Sequence, residues 1–231
     1  MRVRDISPAW FLLPLGLVAA LIVSRYVLTP DEYNLYVAGD EYGAVEILTP
    51  LMLLPGVVFG VMALRNWTKL PTTQARIWIA IVTAGAFYMA GEEVSWGQWF
   101  FLWDTPDAFL AINDQHETNL HNTSSWLDQK PRLLLELWAL AAAFRAWFRA
   151  AIGATDDPAT TQYWFWPTRP LAWTGLLAAL AMMPERMTDW WGVYPSFPFD
   201  IRAAETQELV LGVFLTLFLA STWVRLKAIE R

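Results

Sequence analysis

The chain has 231 residues, of which 56% are hydrophobic and 16% charged, with a net charge of −6 and no cysteine. Soluble domains carry about 25% charged residues, so a soluble domain of this length is excluded for want of surface charge, and intrinsic disorder is excluded by the high hydrophobicity. The acidic balance argues against a nucleic-acid partner, and the missing cysteines exclude disulfides, thiolate metal sites and cysteine nucleophiles.

Fifteen tryptophans point to the membrane–water interface, which this side chain favours. The expectation is an all-α polytopic membrane helix bundle, a single integral membrane domain over residues 1–231. Six apolar stretches read as spans, each near the roughly 20 residues a crossing helix needs. The first runs from about Ala9 to Leu28; its apolar run is too long for a signal peptide and no small-x-small site follows. The second runs from Ala44 to Leu64 and carries Glu46 near its start. The third begins near Arg76, meets Glu92 and Glu93 after Gly91, and resumes as VSWGQWFFLW. A long loop, 104–130, then carries a His/Glu motif. The fourth span runs from Pro131 to about Arg149, the fifth from Pro170 to about Met187, and the sixth from Ala203 to Leu226.

Charge orients these spans. One side takes both termini and the loops after spans two and four. It holds eleven basic and four acidic residues, a net +7; the other holds five and eighteen, a net −13. Lys and Arg accumulate on the cytoplasmic side. Both termini are therefore expected in the cytoplasm, with the acidic face on the periplasmic or exterior side of the plasma (inner) membrane.

Every span after the first contributes a carboxylate to that outer depth: Glu46, Glu92 and Glu93, Glu136, Glu185, and Glu205 with Glu208. Helix amino termini suit acids, which accounts for Glu46, Glu136, Glu205 and Glu208. Glu92 and Glu93 lie towards a helix's carboxyl end, where the dipole disfavours them, and intramembrane ionisable groups usually face a cavity or a partner. The chain's two histidines, His116 and His121, lie together in NDQHETNLHN. If that segment is helical, Asn113, Glu117 and His121 share one face, Glu117 and His121 can bind one divalent metal, and His116 points elsewhere; a bent or looped segment brings both histidines together, and the expected metal set is Glu93, Glu117, His121 and His116. On a continued third helix, Glu92, Ser95, Trp96 and Trp99 share a face, while Gly91 and Gly97 allow close contact or a local break. The plainer reading is a buried ion network in which Arg132, Arg186 or Arg202 holds the paired Glu92 and Glu93.

GEEVSWGQ (Gly91 to Gln98), a Thr105–Pro106 turn and NDQHETNLHN (Asn113 to Asn122), with GDEYGAVE (Gly39 to Glu46) before span two and RAAETQE (Arg202 to Glu208) opening the last span, resemble the motifs of an uncharacterised family of bacterial multi-pass membrane proteins. The resemblance covers most of the chain from Gly39 onward. It implies a shared fold and a shared site at Glu46, Glu92, Glu93, Gln98, Glu117, Asn119, His121, Glu205 and Glu208, and no particular reaction.

Two classes of function follow. The first is an enzyme, a metal-dependent hydrolase or transferase acting on a lipid or lipid-linked substrate, with Trp96, Trp99 and Trp103 at the entry. Its catalytic residues are Glu92, Glu93, Glu117 and His121, and a metal-free version uses Glu92 or Glu93 as general base. The second is non-catalytic: an accessory subunit that partners another membrane protein, or an ion- or proton-coupled transporter. An enzyme requires an open cavity with convergent polar groups; an accessory role requires a packed face with its carboxylates paired.

Overall fold

A computed structural model describes residues 5–38, 43–113 and 116–229, without the side chains of His121, Ser125, Leu127 and Asp128. Gly39 to Tyr42 of the acidic glycine motif, the basic terminal residues Arg2, Arg4 and Arg231, and the His121 imidazole therefore lie outside the described residues.

Every described element is helical. Ser7 caps a 3-10 turn that runs into α1 (Leu12–Val27). Thr29 opens α2 (Pro30–Tyr36) with a capping box: its hydroxyl accepts from the Glu32 N–H, and the Glu32 carboxylate accepts from the Thr29 N–H. After α3 (Ala44–Arg65), the Thr72 hydroxyl caps α4 (Thr73–Glu93). The single turns α5 (Gln98–Phe101) and α6 (Asp107–Leu110) lead to α7 (Ser125–Ala151), then α8 (Thr161–Phe165), α9 (Arg169–Ala181), α10 (Met183–Trp191) and α11 (Ala203–Ala228).

Among the described residues, three helical stretches, Pro8–Val27, Ala44–Arg65 and Ala203–Ala228, are long and apolar enough to cross a membrane. Thr73–Glu93 with Ser95–Phe101 makes a fourth if that pair, bent by 68°, is one span. The expected fifth span is two helices, because Pro184 in the first turn of α10 cannot donate to the carbonyl four residues back. The expected fourth begins earlier, at Ser125, and contains Pro131; its first turns are polar and show no apolar periodicity.

α11 is the central post, buried on every side from Leu209 to Ala220 apart from Thr216, as an all-round apolar helix must be. Small residues let its neighbours approach. Gly56 of α3 faces Thr216, where a Cβ would lie 2.8 Å from the Thr216 Cα. Gly60 faces Thr83 of α4. Gly175 of α9 faces α7, where a Cβ would stand 2.8 Å from the Ala139 carbonyl oxygen.

Contacts at the two ends give the helix directions. At one end Ser221 donates to Asp5 (2.6 Å), Arg225 donates to the Tyr163 carbonyl (2.7 Å), and the Thr72 and Thr161 hydroxyls meet at 2.7 Å. At the other, Arg25 pairs with Asp200 (2.5 Å) and Arg132 with Glu208 (2.6 Å). The helices α1, α3, α4, α7, α9 and α11 thus alternate in direction. The beginning of α1 and the end of α11 share one end of the bundle, and the carboxylates of α3, α4, α7, α10 and α11 gather at the other.

Candidate functional site

The third-span motif breaks its helix. α4 ends at Glu93, and Ser95, Trp96 and Gly97 follow with φ of 46°, 57° and 104°. Two consecutive non-glycine residues in the left-handed region store backbone strain, on the order of 1–3 kcal/mol each, which the surroundings must hold. The expected common face of Glu92, Ser95, Trp96 and Trp99 therefore does not form, because no helix continues through it.

What holds the break is the second motif. Residues 111–113 and 116–120 are not helical, so the face expected for Asn113, Glu117 and His121 is also absent; the described part of the loop folds back over the break instead. Glu117 is 8% exposed and accepts four hydrogen bonds: from the Ser95 hydroxyl (2.8 Å), Trp99 Nε1 (3.1 Å), Asn119 Nδ2 (2.6 Å) and Asn122 Nδ2 (3.3 Å). Glu92 accepts from Trp96 Nε1 (2.6 Å) and from the Leu120 N–H (2.7 Å). Gln98 accepts from the Thr118 N–H (2.7 Å) and donates to Thr105 Oγ1 (2.7 Å). Asn113 donates to Asn119 Oδ1 (2.8 Å), and the Thr105 hydroxyl donates to the His116 carbonyl. The two sequence motifs are the two halves of one buried polar clasp. Its acceptors are matched by donors, as a buried network requires.

Glu93 stands apart from that clasp. Among the described residues it makes no hydrogen bond or ion pair, and it lines two adjoining cavities. The first, of about 270 Å³, is a polar chamber walled by Glu46, Glu93, Glu117, Glu185, Glu205 and Glu208, with Arg132 and Arg202 as its two guanidiniums. Arg132 binds Glu208 (2.6 Å), and Arg202 binds Glu205 (2.6 Å). Beside the chamber, Arg186 pairs with the buried Glu136 (2.5 Å). The arginines named from sequence hold Glu208, Glu205 and Glu136, carboxylates other than the expected Glu92–Glu93 pair; Glu136 is not among the chamber-lining residues.

The second cavity, of about 420 Å³, is an apolar groove between α4, α7 and α11, lined by Ile81, Val82, Gly85, Leu134, Leu135, Leu211 and Leu215. Trp78 and Trp138, also in its lining, meet edge to face at 5.1 Å between ring centroids. Glu93, Arg132 and Glu208 line both cavities. Nothing in the sequence singles out Trp78 or Trp138, since only helix packing brings them together.

Among the described residues, no group of three His, Asp or Glu side chains could hold a metal ion. Glu117 has its oxygens engaged by four donors, His116 is exposed, and the His121 side chain lies outside the described residues. The chemistry within reach is that of a carboxylate, Glu93, beside a guanidinium, Arg132, where a polar and an apolar cavity meet. Compared with protein-family models, curated proteins and solved structures, the chain matches none of them.

Proposed function

We propose that this is an integral membrane enzyme, a hydrolase or transferase that acts on a lipid or lipid-linked substrate. The chain crosses the plasma (inner) membrane six times with both termini in the cytoplasm, and the chamber opens towards the periplasmic or exterior side. The observation that carries the reading is the junction of the polar chamber with the apolar groove at Glu93, Arg132 and Glu208. An amphipathic molecule has the same order of chemistry, head then tail. Glu93 takes a proton from water or an acceptor hydroxyl as that oxygen attacks the acyl or phosphoryl centre. Arg132 lies beside the negative charge that develops there, and Glu93 returns the proton to the leaving oxygen. Glu92 and Glu117 act through the clasp, as positioning residues.

The test is incubation of the purified protein, reconstituted in vesicles of total membrane lipid, followed by mass spectrometry of the lipids. One lipid species should fall and a product rise, and Glu93→Gln should slow this by about a hundredfold or more while eluting as a folded protein. No change in any lipid, or full turnover by Glu93→Gln, would overturn the reading. A non-catalytic role, as an accessory subunit or an ion- or proton-coupled transporter, draws on the ion pairs of Arg132, Arg186 and Arg202; it predicts that unchanged lipid profile.

A further inference from the structure

The two cavities also order the charges of whatever molecule spans them. Along the path from groove to chamber come an apolar channel, then a junction where Arg132 stands with Glu93 and Glu208, then a wall in which four more carboxylates face one more guanidinium. Along α4 the groove runs from Trp78 to Glu93, about 22 Å at the helical rise per residue, against about 15 Å for half a hydrocarbon core. It is long enough for one whole chain of a lipid in a single leaflet. At its side Leu134 is 68% and Ile81 56% exposed, so the groove opens laterally, where a lipid would enter.

We propose that the substrate is an amine-headed zwitterionic phospholipid, with one chain in the groove, its phosphate at Arg132 and its primary ammonium among the chamber carboxylates. The proposal deepens the lipid-enzyme reading above and rests on it for the location of the site. A headgroup with only negative charge would meet the excess of carboxylates, and like charges across a recognition surface repel and so exclude the wrong partner. A primary ammonium brings three donors to a wall of acceptors, one of which, Glu93, has no hydrogen-bond partner among the described residues. A quaternary ammonium brings none and is usually recognised by an aromatic cage; Trp99 is the one aromatic side chain lining the chamber. Gly85 lines the groove with nothing within 4 Å of a Cβ placed on it, so a larger residue there fills the chain's path without a clash.

The experiment is native mass spectrometry of the full-length protein in detergent, with ethanolamine, choline and glycerol phospholipids of identical chains and with chainless phosphoethanolamine. The ethanolamine lipid should be retained about tenfold more tightly than the glycerol lipid, as one close charge pair gives, and phosphoethanolamine should be retained weakly. Glu93→Gln should shrink the headgroup preference, while Gly85→Leu should weaken every chain-bearing lipid and leave the preference unchanged. Equal or tighter retention of the glycerol lipid, or undiminished lipid binding by Gly85→Leu, would overturn the proposal. Headgroup-selective retention with no turnover would sink catalysis and leave the amine-headed lipid as a bound ligand, not a substrate; turnover confined to a lipid without an amine would keep the enzyme reading and overturn this proposal.

Discussion

Glu92 and Glu93 are adjacent in sequence and have opposite surroundings. Glu92 is 4% exposed and tied to Trp96 and Leu120; Glu93 faces the cavities. Glu117 resembles Glu92 more than Glu93. Its four donors need a carboxylate, and a glutamine would turn an amide N–H₂ towards some of them. Glu117→Gln should therefore cost about 1–3 kcal/mol in detergent melting, whereas Glu93→Gln, with no hydrogen bond to lose, should melt near the parent temperature. Equal melting of both variants would contradict this division. A pH dependence belongs to Asp200, in the loop before α11. The Arg25 guanidinium beside it holds its carboxyl below the ordinary aspartate value. A depressed folded-state value means the stabilisation is complete above the ordinary range and is lost as pH falls through the folded value. Asp200 is 37% exposed, so the effect is small, below about 1 kcal/mol; Asp200→Asn should remove that part of the acid-induced fall in melting temperature. Composition made the odd placement of the paired glutamates visible. It could not separate them, because the separation depends on Ser95 and Trp96 adopting left-handed backbone that their residue types do not announce.

At the level of elements, the bundle depends on three glycine contacts. A methyl at Gly175 would press on the Ala139 backbone, and one at Gly56 on the Thr216 Cα. Backbone cannot swing aside as a long side chain can, so Gly175→Ala should separate α7 from α9 at a cost of about 1–3 kcal/mol. Gly16→Ala is the control: nothing lies within 4 Å of its Cβ position, and the melting temperature should not fall. A Gly175→Ala protein as stable as the parent would show that α7 and α9 do not pack this closely. The apolar runs made α1, α3, α4 and α11 legible, since hydrophobic length alone sets them. The start of α7 was less so, because its first turns are polar. The division of α9 from α10 turns on the single Pro184, and the loop clasp depends on long-range side-chain pairing that no local periodicity encodes.

Across the whole molecule, the expected division of the net charge of −6 into a basic and an acidic side makes orientation the property to test. The described helices alternate in direction, with the α1 start and the α11 end at one end of the bundle. The connection between α7 and α8 belongs to that end: Arg145 and Arg149 bind Asp156 there at 2.5 Å and 3.1 Å. The absence of cysteine makes the topology directly measurable, because any single introduced cysteine is the only thiol. Thr155→Cys, in the α7–α8 connection, should resist a membrane-impermeant maleimide in intact cells and react after lysis. Ser196→Cys, in the connection to α11 at the carboxylate end, should react in intact cells once any outer barrier is opened. Asp157→Cys and Asp107→Cys should repeat the two results at independent positions. Labelling of the Thr155 end alone would reject both-termini-in topology and with it an outward-facing chamber; labelling of both ends from outside would reject six crossings. The same four variants test the span count, because an odd number of crossings between residues 107 and 157 is what places those two sites on opposite sides.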